Sequence, residues 1–90
     1  MTSQAPGRAS PLELVHLRRD ARTSLELAIV GLAPGNLIES LALVSGMLEA
    51  IAELPLESPP VAAMLPSLVI KARGALAQWN AWHVEHLGRG

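Results

Sequence analysis

The segment Ser40–Leu56, SLALVSGMLEAIAELPL, constrains this chain more than any other. It carries only two charges, Glu49 and Glu53, and its apolar residues recur at helical spacing. Wound at about 3.6 residues per turn, Leu41, Val44, Leu48 and Ile51 share one side. Ala42, Gly46 and Ala50 share a second, and Leu43, Met47 and Leu54 a third. A helix that is apolar nearly all round is covered on more than one side. Two neighbouring helices of the same chain cover roughly half of it, so the pattern predicts that a second chain covers the rest, most simply in a twofold homodimer. The alternative is a monomer whose last helix covers everything. Gly46 bears on both. It costs about 1 kcal/mol in a helix relative to Ala, and either another backbone or a Trp ring would use the space.

The rest of the chain reads as helix too. Ser10-Pro11-Leu12-Glu13 is a helix start, with Ser10 as cap, Pro11 in the first turn and Glu13 closing a capping box. Leu14, Leu17, Ala21, Leu25, Ala28 and Leu32 then make one stripe, and Gly31 is a stop. Thr23 and Glu26 form a second possible box, which allows a break near 22–24. Ala33-Pro34-Gly35-Asn36 is turn chemistry, with Asn36 as the next cap and Pro55 as the next stop. Ser58, Pro59 and Pro60 open a third segment, and Pro66 lies deep enough to break it. The expected fold is all-α, an antiparallel three- or four-helix arrangement with helices at about 11–31, 37–54, 59–65 and 66–87, completed by dimerisation. Residues 1–9 read as a flexible tail and 10–90 as one helical domain.

Composition narrows the function classes. Half the residues are apolar, 17% are charged and mean hydropathy is +0.33, which is more apolar surface than so small a chain buries by folding alone. Net charge is −1, which removes the main electrostatic reason to expect nucleic acid. Residues 31–60 hold acids and no base, while the flanking thirds are mildly basic, an arrangement that suits ion pairs at helix rims. There is no cysteine, so disulfides and thiolate metal sites are excluded. MTSQAPGRAS lacks an apolar signal core. The uncharged run Leu27–Ile38 is broken by Pro34, Gly35 and Asn36, so neither secretion nor a membrane span is expected and a cytoplasmic protein is.

No catalytic pattern is present: no nucleophile with base and acid, and no phosphate loop. The chain reads as a non-enzyme without cofactor. His83 and His86 lie three apart beside Trp82, and with His16 they define the alternative reading, a metal-binding helical bundle. Two histidines are not a site, and polar histidines at a helix C-terminus are favourable on their own account. Arg18, Arg19 and Arg22 form a small basic cluster, read as a solvated face rather than a nucleic-acid contact. Trp79 and Trp82 are the only aromatic residues and serve either packing or partner anchoring. The candidate contacts for a second copy or a partner protein are therefore Leu43, Gly46, Met47 and Ala50, with Trp79, Trp82 and His86.

Gly31-Leu32-Ala33-Pro34-Gly35-Asn36-Leu37, followed by a long helix ending at Glu53-Leu54-Pro55, resembles the layout of small quorum-sensing anti-activators of the TraM type. The resemblance covers about a quarter of the chain. It implies a short helical hairpin protein that self-associates and sequesters a transcriptional regulator. The second helix here is shorter, and the Trp-bearing last helix has no counterpart, so no functional residue is carried over.

Overall fold

The computed structural model describes residues 11–86. The expected tail, the Ser10 cap and the last residue of the expected 66–87 helix lie outside them. Three helices account for the described chain: α1 (Pro11–Val30), α2 (Gly35–Ile51) and α3 (Pro59–His86). No strand occurs among the described residues. Each helix packs on both others, in a flattened body of 42 × 28 × 16 Å.

The helices form where the apolar stripes predict. α1 buries Leu14, Leu17, Ala21 and Ala28, and runs unbroken through 22–24. α2 buries the predicted Leu41, Val44, Leu48 and Ile51, together with Leu37. α3 buries Val61, Leu65, Leu68, Val69, Ala72, Ala75 and Trp79. These side chains form one contiguous core, with Leu25, Met47, Leu76 and Trp82 packed at its margin.

Three local expectations are corrected. First, Pro66 does not divide the last segment; helices 59–65 and 66–87 are one helix, α3. A mid-helix proline costs about 3 kcal/mol. Leu65 on one side of it and Leu68 and Val69 on the other enter the same core, and burying such side chains at about 1.5–3 kcal/mol each outweighs that cost. Second, α2 opens at Gly35. Pro34 is its cap residue, without a side-chain bond, and its carbonyl accepts from the Leu37 and Ile38 amides at 3.0 and 3.1 Å. α2 also ends at Ile51, and 52–54 continue as a turn.

Third, Leu32 is not part of the α1 stripe. The α1 terminus is a Schellman motif: the Ala33 amide donates to the Ala28 carbonyl at 2.9 Å and the Leu32 amide to Ile29 at 3.2 Å. This geometry needs a left-handed residue, and Leu32 supplies it at φ 59°, with 85% of its surface exposed. Glycine is the usual occupant, yet Gly31 stands one residue too early. An L-residue there costs about 1–2 kcal/mol, and glycine gives back about 0.5–1 kcal/mol through the unfolded chain. Leu32→Gly is thus expected to stabilise the fold by about 0.5–1 kcal/mol, seen as a rise of about 2–8 °C in thermal midpoint. An unchanged or lower midpoint would show that the Leu32 side chain holds the turn.

α3 is long and apolar enough, at a mean hydropathy of 1.2, to cross a membrane by length and composition. The criterion of uninterrupted uncharged length missed it because Lys71 and Arg73 divide the run. Core helices meet the same test, and α3 supplies much of this core. Only 33% of that apolar window is buried, however, so α3 also has an apolar outer side.

Candidate functional site

The predicted contact residues fall into two patches on different helices. On α2, the side opposite the core stripe is open. Ala42, Gly46 and Ala50 are exposed and Leu43 is 58% exposed, while Met47 is half-buried against the core. A Cβ built on Gly46 meets nothing within 4 Å, so neither a backbone nor a Trp ring of the same chain uses the space. Glu39, Glu49 and Glu53 border this strip and are exposed. Glu49 reaches Arg22 of α1 at 4.0 Å, a solvated pair of the predicted kind, worth about 0–1 kcal/mol.

The second patch is the last two turns of α3. Trp79 stacks on Trp82 with ring centroids 5.8 Å apart, and Trp82 on His86 at 4.7 Å. His83 tilts against Trp79 at 5.0 Å. Such ring pairs at i, i+3 and i, i+4 form a column along one side of the helix. His86 Nδ1–H donates to the Trp82 carbonyl at 3.0 Å, one turn back along α3. Trp79 is only 3% exposed, which removes it from the candidate contacts. It follows Ala72 and Ala75 along the core side of α3, and small residues there leave the volume an indole needs. Trp82 is half-buried and His86 exposed.

The three histidines are not brought together. His83 and His86 lie on the α3 column, and His16 is exposed on α1 near the end where Glu13 pairs with Arg73 in the middle of α3. Among the described residues, no group of three His, Cys, Asp or Glu side chains is placed to hold a metal. The arginine cluster also disperses. Arg22 turns to Glu49. Arg18 lines an apolar groove of about 240 Å³ with Leu14, Leu48 and Ile51, and Arg19 lines a separate α1–α3 groove with Asp20 and Asn80.

Sequence reasoning passed over the outer side of α3. Ile70 is 70% exposed and Val84 65%. Their signal is a period of seven, Ala63, Ile70, Ala77 and Val84, which a search for a single 3.6-residue stripe does not register. Val30, at 82% exposed, and Leu32 are likewise displayed at the α1–α2 turn. No family model, curated protein or solved structure matches the chain.

Proposed function

We propose that this protein is a small non-enzymatic regulator that self-associates and captures another protein through apolar helix surface. One observation carries the reading: the outer strip of α2, with Leu43 and the open space over Gly46, is apolar and uncovered by its own chain. An amphipathic partner helix laid along Gly46 would approach closely, with Leu43 as the side-chain anchor and Glu39, Glu49 and Glu53 at the rim, in a helix-in-groove mode. Those acids favour a partner segment with basic flanks. The resemblance of the turn and α2 to TraM-type anti-activators supplies the class of partner, a transcriptional regulator held away from its target.

The helices are read as an up-down-up arrangement, with α2 antiparallel to α1 and α3. The Arg22–Glu49 pair and the groove joining Leu14 to Leu48 and Ile51 support the first relation. The Glu13–Arg73 pair and the groove joining Asp20 to Leu76 and Asn80 support α1 and α3 running the same way.

The test is affinity capture from the native host with wild-type protein and with Leu43→Glu. Leu43 is exposed, so the variant folds, and loss of partner capture with an unchanged circular dichroism spectrum is the expected result. Equal capture by both proteins would remove α2 from the function.

A further inference from the structure

We propose that the groove where α1 begins and α2 ends binds a short aliphatic carboxylate. The groove holds about 240 Å³. Leu14, Leu48 and Ile51, all core residues, form its floor. Val15, 46% exposed, and the half-buried Leu56 form its sides. One residue of the lining is charged, Arg18, and none is acidic.

Arg18 identifies the ligand's head. It is half-buried beside this apolar floor and, among the described residues, takes part in no ion pair or side-chain hydrogen bond. The neighbouring acids leave it free. Glu49 meets Arg22, one turn further along α1, and Glu13 meets Arg73 of α3. Glu53, in the turn after α2, is exposed and does not line the groove. A guanidinium takes a carboxylate through two parallel N–H···O bonds, and such bonds strengthen beside apolar surface that excludes water. Volume sets the tail. A cavity of about 150 Å³ lined by apolar side chains takes up benzene. A groove of about 240 Å³ therefore suits an alkyl chain of about six to ten carbons.

Charge separates this ligand from the occupants available within the protein itself. Residues 1–10 adjoin the groove at Pro11, but they carry Arg8 and no acid. A second copy brings the same groove, whose lining again holds Arg18 without an acid. The floor belongs to the core side of α2, away from Leu43 and Gly46, so the site stands or falls separately from the partner surface proposed above.

Two-dimensional NMR of the full chain, titrated with butanoate, hexanoate and octanoate, tests the site. Shifts are expected at Val15, Arg18 and Leu56, with an octanoate dissociation constant of about 0.1–1 mM. Each added pair of methylenes is expected to tighten binding about five- to fifteenfold. 1-Octanol, which has the tail without the charge, is expected to bind about tenfold more weakly. Arg18→Gln is expected to weaken octanoate about tenfold and leave 1-octanol unchanged. Equal affinity for octanoate and 1-octanol, undiminished octanoate binding by Arg18→Gln, or shifts confined to other surfaces overturns the assignment. So does a groove already filled in the free protein. Overhauser contacts from residues 1–9 to Val15 and Leu56 would identify the chain's own N-terminal segment, and concentration-dependent shifts at those residues a second copy. Should Arg18→Gln fail to fold, octanoate against 1-octanol on the wild-type chain decides alone.

Discussion

Trp79→Ala is expected to lower the free energy of unfolding by about 3–5 kcal/mol. Trp79 is among the most buried large side chains, 3% exposed. Its ring also supports its neighbours: Trp82 stacks on it at 5.8 Å and His83 at 5.0 Å. Removing the indole leaves a void beside Ala72 and Ala75, which are too small to close it, and cuts the aromatic column from the core. Small domains are stable by about 5–15 kcal/mol in total, so the variant should sit near or past its unfolding midpoint at room temperature. Urea denaturation followed by far-ultraviolet circular dichroism measures the effect, because the probe does not rely on the missing tryptophan. A loss under about 1 kcal/mol accompanied by loss of self-association would return Trp79 to an interface. Trp82→Ala, at a half-buried position, should cost distinctly less.

The second large effect is a contrast within α2. Leu41→Ala is expected to cost about 2–5 kcal/mol of stability, and Leu43→Ala to stay within about 0.5 kcal/mol of wild type. The two leucines are two residues apart and chemically identical. Leu41 is fully buried beneath α1 and α3, whereas Leu43 is 58% exposed. Two residues correspond to about 200° around a helix, which carries one leucine into the core and the other to solvent. Thermal midpoints at a concentration well below self-association read the difference cleanly. Equal costs at the two positions would mean that α2 is covered on both sides, and the case for an open strip would fail.

Much of this architecture is legible along the chain. Turn residues at Pro34-Gly35 and Pro55 mark the connections, and the helical spacing of Leu14, Leu17 and Ala21, or of Leu37, Leu41, Val44, Leu48 and Ile51, names the core. Where the reading went astray, a local preference met a larger tertiary term. Pro66 is a helix breaker held inside a helix by the burial around it. Leu32 looks like one more stripe residue, yet the hydrogen bonds that end α1 put it in a left-handed turn and in solvent. Trp79 and Trp82 are indistinguishable by composition; only the angle between them on α3 makes one a core residue and the other a margin residue.

The same holds for the candidate surfaces. That α2 has more apolar sides than its own chain can cover follows from residue order alone, because a helix turns about 100° per residue and four polar groups cannot screen it. Which of those sides stays open required three helices in place: α1 and α3 take the Leu41–Leu48 side and leave Leu43 and Gly46 bare. The seven-residue period on α3 is likewise written in the sequence, but periodicity does not say whether such a side faces inward or outward. Burial is a property of neighbours, and neighbours far apart in the chain are set by packing. Residue order determined that this protein is helical and greasy on more than one side; the tertiary fold decided that Trp79 went in and Ile70, Val84 and Leu43 stayed out.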